Sequence, residues 1–86
     1  MPRLSAFYGI TIWMYHREHG PPHFHAEYGG QEALIELASL RVLHGSVPPR
    51  ALRLVRAWAR LHGAELEANW GRARALEPLA PIAPLR

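Results

Sequence analysis

The sequence contains no cysteine, no lysine and no aspartate. The first absence excludes disulfides, thiolate metal sites and cysteine nucleophiles together. The other two leave ten arginines and seven glutamates to carry the fixed charge, for a formal net charge of +3 with six histidines counted as neutral. No apolar run approaches the length of a membrane span, and Met1–Ser5 carries nothing like a signal-peptide core, so a cytoplasmic protein is expected. Charged residues make up only 20% of the chain and hydrophobic ones 49%, which is a globular balance and not a disordered one. A chain of 86 residues builds one domain with a modest core, marginal in stability unless it oligomerises.

The densest reactive chemistry lies in Pro21-Pro22-His23-Phe24-His25-Ala26-Glu27-Tyr28-Gly29-Gly30. In an extended strand successive side chains leave on opposite faces. Phe24, Ala26 and Tyr28 therefore share one face, and His23, His25 and Glu27 the other. Gly29-Gly30 between two alternating runs is a hairpin signal, because both residues tolerate the positive φ of a two-residue turn. That turn pairs Ala26 with Ala33 and Phe24 with Ile35 on an apolar face. On the opposite face it sets Glu27 across from Glu32, His25 from Leu34 and His23 from Glu36.

Upstream, Phe7–Tyr15 is rich in β-branched and aromatic residues and reads as a first strand, with Gly9 marking a bulge or a close backbone approach. His16–Pro22 reads as a polar loop, and Arg41–Val47 as a short strand or turn. Pro48-Pro49 suits the first turn of a helix. From Arg50 to His62, Ala51, Leu54, Val55, Trp58, Leu61 and His62 fall on one side and Arg50, Arg53, Arg56 and Arg60 on the other. Gly63 reads as a C-terminal stop, followed by a second helix over 64–76. These elements predict an α+β fold: a small antiparallel sheet of three or four strands with two antiparallel helices on one face. Residues 1–77 form the domain, and 78–86, with Pro78, Pro81 and Pro84, an extended strap or tail. The predicted core is Phe24, Ala33, Ile35, Leu37, Leu54, Val55, Trp58, Leu61, Leu66 and Trp70.

Three strings carry a family resemblance: Phe-Tyr-Gly-Ile-x-Ile-x-Met-Tyr at 7–15, Pro-Pro-His-Phe-His-x-Glu-Tyr-Gly at 21–29, and Arg-Ala-Leu-x-Leu-Val-x-x-Trp-Ala-x-Leu-His at 50–62. With Glu-Leu-x-x-Asn-Trp at 65–70, they resemble the small bacterial family known as domain of unknown function 4160. The resemblance implies an α+β fold and a short stand-alone protein, often encoded beside another small uncharacterised protein in the manner of toxin–antitoxin pairs. It implies no catalytic residue.

Two functional readings follow from the residues. In the first, the protein is a regulatory module that binds or cleaves nucleic acid, with RNA the expected target. Arg50, Arg53, Arg56 and Arg60 would hold phosphates, since no glutamate between Arg50 and His62 pairs with them along the helix. His23 and His25 would exchange protons at the scissile group, and Trp13 would offer a stacking surface. In the second, the protein is a metal- or ligand-binding interaction module without catalysis, in which His23, His25 and Glu27 hold a divalent transition metal. Against both stands the bland reading of a half-exposed strand that needs polar residues outside. An apolar outer face around Trp13 and Leu34 further predicts a homodimer or a partner protein.

Overall fold

The computed structural model describes residues 3–86. Five strands, β1 (Arg3–Phe7), β2 (Ile10–Trp13), β3 (His23–Tyr28), β4 (Gln31–Glu36) and β5 (Val42–Gly45), precede two helices, α1 (Pro49–Leu61) and α2 (Gly63–Arg74). Each strand pairs antiparallel with the next, in the order β1-β2-β3-β4-β5. The α+β class stands, but the sheet has more strands than the three or four expected.

The extra strand, β1, lies upstream of the first aromatic run and shares only Phe7 with it. Phe7–Tyr15 is not one strand: Tyr8 and Gly9, at φ 50° and 80°, turn the chain so that Phe7 pairs with Ile10. Both turn residues in the left-handed region is the geometry of a tight hairpin. A tyrosine is an unexpected occupant of that position, because a bulky side chain at positive φ is sterically disfavoured. Gly9 is therefore a turn residue, and it is also a close approach, since a Cβ there would meet the Tyr28 ring at 3.3 Å.

The β3–β4 hairpin has the predicted register, with Phe24 opposite Ile35, Ala26 opposite Ala33, and Glu27 opposite Glu32. The expected short strand at 41–47 is β5. It ends on Gly45, at φ 75°, where a Cβ would stand 2.2 Å from the backbone oxygen of Glu32. Only glycine fits there.

One sheet face and the helices share the core. Ile10, Ile12, Phe24, Ala26, Ala33 and Ile35 are buried together with Ala51, Val55, Trp58 and Ala59 of α1 and Leu66, Trp70 and Ala73 of α2. Trp58 lies at the centre, its ring 5.5 Å from Phe7 and 6.0 Å from Phe24. The buried stripe of α1 is rotated from the expected one. Ala59 replaces Leu61, which is 71% exposed, and Leu37 and Leu54 are only partly buried. The reason is local: α1 ends at Leu61, and His62, at φ −123° and ψ 27°, hands the chain directly to α2. Gly63 begins the second helix and does not follow the first.

The proline-rich segment is tied to the domain. Asn69, fully buried on α2, donates from Nδ2 to the Ala80 carbonyl and accepts from the Ala80 N–H, both at 2.8 Å. Trp58 Nε1 donates to the Ala83 carbonyl at 2.8 Å, and the Ile82 N–H donates to the Leu4 carbonyl at 2.8 Å. Residues 78–86 thus form a strap across β1, α1 and α2, with Ile82 buried in the core.

Candidate metal centre

Alternation on β3 sends His23 and His25 to the face opposite Phe24 and Ala26, as the sequence requires. They are not half-exposed there: His23 is 4% and His25 7% accessible. Their cover comes from neighbours on both sides. The Tyr15 ring meets His25 edge-on at 4.6 Å, and Trp70 of α2 lies against His23 at 5.3 Å. The two imidazoles are 5.4 Å apart, centroid to centroid.

The loop between β2 and β3 supplies the third member. Glu18 Oε1 accepts a short hydrogen bond from His25 Nε2 and stands 3.4 Å from His23 Nε2. Glu18, His23 and His25 each place a donor atom within 4.8 Å of the other two, and among the described residues they are the group of metal-ligating side chains so arranged. Glu32, from β4, adds a carboxylate oxygen 3.5 Å from His25 Nδ1.

The hydrogen bonds fix the state of His23. Its Nδ1 lies 2.9 Å from the Pro21 carbonyl, which can only accept, so Nδ1 carries the proton. In the neutral ring Nε2 is then a bare lone pair. It is buried and has no hydrogen-bond partner, as is also true of His25 Nδ1. Leaving such an atom unpaired costs about 1–3 kcal/mol. The lone pair faces Glu18 Oε1, another acceptor. With His23 neutral, two acceptors face each other here, and a proton on Nε2 or a cation between them would relieve the contact.

The surrounding field has the matching sign. Burial, followed by the charges of Glu32, Glu18 and Glu27, raises the Tyr15 phenol above its ordinary value. Tyr15 therefore remains a neutral O–H, in a negative potential that would draw a cation in.

The other sequence-predicted residues divide. Glu27 is exposed and lies outside the group, although it shares the face and adds to the field. Trp13, half-buried, sits opposite His25 on the neighbouring strand. Arg53 and Arg60 are exposed on α1 and make no ion pair among the described residues. Arg50 lines a cleft with Tyr8 and Tyr28. Arg56 is occupied differently: half-buried, it donates from Nε to the Leu40 carbonyl at 2.9 Å and so fastens α1 to the turn before β5. His16, in the same loop as Glu18, is engaged with the Glu77 carbonyl at 2.9 Å. Sequence reasoning missed Glu18. Its signal was a carboxylate in the short polar loop leading into a His-x-His strand.

Fold and site together define a small α+β protein whose meander sheet carries a cluster of two buried histidines and a half-buried carboxylate, closed on one side by Trp70 of the core. The family model described as a domain of unknown function (DUF4160) matches residues 9–71. The chain belongs to that family, and the match takes in every residue of the cluster. No curated protein and no solved structure matches it. None of the helices described is long and apolar enough to cross a membrane.

Proposed function

We propose that the protein binds a divalent transition metal through Glu18, His23 and His25, and that this ion is the centre of its activity. The observation that carries the reading is the buried His23 Nε2 lone pair, freed by the Nδ1 bond to the Pro21 carbonyl and aimed at Glu18. A backbone carbonyl that holds the far nitrogen of an imidazole is the usual way a metal-ligating histidine is oriented. Glu32 would do the same for His25 in the tautomer that carries its proton on Nδ1 and leaves Nε2 free for the ion. Donors about 2.0–2.1 Å from a tetrahedral ion are roughly 3.3 Å apart. His23 Nε2 and Glu18 Oε1, at 3.4 Å, suit that spacing, whereas the direct hydrogen bond between His25 Nε2 and Glu18 would have to open to admit the ion. Two imidazoles and one carboxylate suit zinc, iron, nickel or manganese and leave at least one position for an outside ligand. An ion so held would act as a Lewis acid on a bound oxygen.

The test is to titrate Zn²⁺ into chelator-treated protein while following the melting temperature. Binding to the native state raises it by mass action. The rise is expected in wild type and in His44→Ala, which alters an exposed strand residue, and is lost in His23→Ala and His25→Ala. No rise in wild type would remove the reading.

A second reading, binding of nucleic acid by α1, is supported by Arg53 and Arg60, exposed and without an ion-pair partner among the described residues, and by Arg50 beside the exposed rings of Tyr8 and Tyr28. In this reading the protein is a cytoplasmic regulatory module of a toxin–antitoxin-like pair, with RNA as the expected target. The half-buried Trp13 and Leu34 on the outer sheet face would meet a partner protein or a second copy.

A further inference from the structure

Glu18 differs from its two partners in one respect. His23 and His25 are closed in by Trp70 and Tyr15, whereas the Glu18 side chain keeps 26% of its surface open. That surface opens into a cleft whose other walls are Arg17, His19, Gly20 and Arg74. An outside ligand that approached the ion from the Glu18 side would pass two guanidinium groups and an imidazole.

We infer that this cleft is a phosphate-ester subsite, in which Arg17 and Arg74 hold non-bridging oxygens while another reaches the ion on Glu18, His23 and His25. The inference rests on the metal reading above and adds the chemical class of the substrate. Its volume, about 410 Å³, lies in the range of small-ligand pockets, roughly 300–1,000 Å³.

Three observations favour a phosphate ester over other occupants. First, Arg17 and Arg74 are exposed and neither is paired with a carboxylate among the described residues, so their charge is available. The C-terminal end of a helix attracts basic residues on its own account, which would explain Arg74 but not Arg17 on the facing loop. Second, Arg17 is a non-glycine residue held at φ 64°. Such a conformation persists only where its surroundings impose it, and here it sits in the chain immediately before the ligand Glu18. Third, two guanidiniums, the N–H of the His19 imidazole and a cation are more partners than a carboxylate's two oxygens can satisfy. A tetrahedral phosphate has enough oxygens to meet each of them. Inorganic phosphate and the diester of an RNA strand share this chemistry.

The test uses calorimetric titration of two probes, inorganic phosphate and a short oligouridylate, into full-length protein loaded with Zn²⁺ and into the metal-free protein. Variants are Arg17→Gln, Arg74→Gln and, as a control outside the cleft lining, the exposed Arg41→Gln, each checked for an unchanged melting temperature. Both cleft variants are expected to bind phosphate about tenfold more weakly than wild type, as loss of a charge-assisted contact implies, with Zn²⁺ affinity unaltered. The oligouridylate binding more tightly than phosphate, with the same dependence on both arginines, would identify RNA as the source. Phosphate alone binding would identify a small phosphorylated ligand. If Zn²⁺ binds but neither probe does, or if Arg41→Gln weakens binding as much as Arg74→Gln, the subsite is overturned and the metal centre stands. If Zn²⁺ itself fails to bind, the metal centre falls. Phosphate binding to the metal-free protein then reads the cleft alone: dependence on Arg17 and Arg74 supports the anion site, and no binding overturns it.

Discussion

Glu18 Oε1 stands 3.4 Å from His23 Nε2, and with the ring neutral and its proton on Nδ1 neither atom has a proton to offer the other. Everything proposed for the site turns on what lies between them. A metal must compete with protons for the same imidazoles, so binding is expected to weaken as pH falls. The rise in melting temperature produced by Zn²⁺ at about pH 7.5 should shrink or vanish at about pH 5.5, where an unperturbed imidazole is mostly protonated. A rise that is equal at both would contradict ligation by histidine.

Tyr15 reports on the same charges from the side. Its phenol titrates above 10.0, first because it is buried and then because Glu32, Glu18 and Glu27 oppose a phenolate. The folded protein thus keeps this proton at pH values where the unfolded chain has lost it. The stability this difference reflects is complete below 10.0 and is lost as pH climbs toward the raised folded value. Tyr15→Phe should flatten that alkaline loss in melting curves. Loading with Zn²⁺ offsets the carboxylates, so in wild type the phenolate absorbance should appear at lower pH than in metal-free protein. Tyr15→Phe should remove this difference.

The strap gives a stability prediction. Asn69→Ala deletes both bonds to Ala80 and leaves backbone groups without partners. A loss of about 2–3 kcal/mol is expected by denaturant titration, which is large against the total stability of a domain this small. A change under half of that would mean the strap contributes little to the fold.

Two glycines should respond in opposite directions. Gly45→Ala drives a Cβ into the Glu32 carbonyl and strains a positive φ, so it should destabilise strongly. Gly71→Ala, in α2 with nothing within 4 Å of the new methyl, should stabilise by about 0.5–1 kcal/mol through helix propensity. Paired thermal melts decide both.

For the arginine stripe, replacing Arg53 and Arg60 together with glutamine should weaken binding of any nucleic acid and reduce its salt dependence. Arg56→Gln should instead lower stability, because its guanidinium holds the Leu40 carbonyl. Wild-type protein that shows no retention on heparin at low salt would end the nucleic-acid reading of α1.

What the sequence disclosed follows from which interactions are local. The β3–β4 hairpin was legible to the residue, because Gly29-Gly30 and strict alternation determine register without help from the rest of the chain. β1 was not, because Tyr8-Gly9 lacks the usual chemistry of a tight turn and sits inside a run with strand composition. Leu61 read as core by periodicity and is exposed, because a helix pattern does not show where the chain will bend away. At the site, His23 and His25 were evident from their spacing, but the carboxylate beside them was not. Glu27 is adjacent along the strand, whereas Glu18 reaches the histidines only through a loop shaped by the left-handed residues Arg17 and Gly20. Loop geometry of that kind is settled by tertiary packing, and no periodicity announces it.

The choice between those two carboxylates is the most direct test of the account. Calorimetric Zn²⁺ titration at about pH 7.5, where ordinary imidazoles are neutral, should be run on wild type, Glu18→Gln and Glu27→Gln. The account predicts one high-affinity ion per chain in wild type and in Glu27→Gln. In Glu18→Gln, where the carboxylate ligand is lost and His25 Nε2 loses its ionic partner, it predicts binding at least about tenfold weaker. Unchanged affinity in Glu18→Gln, or a loss confined to Glu27→Gln, would contradict it.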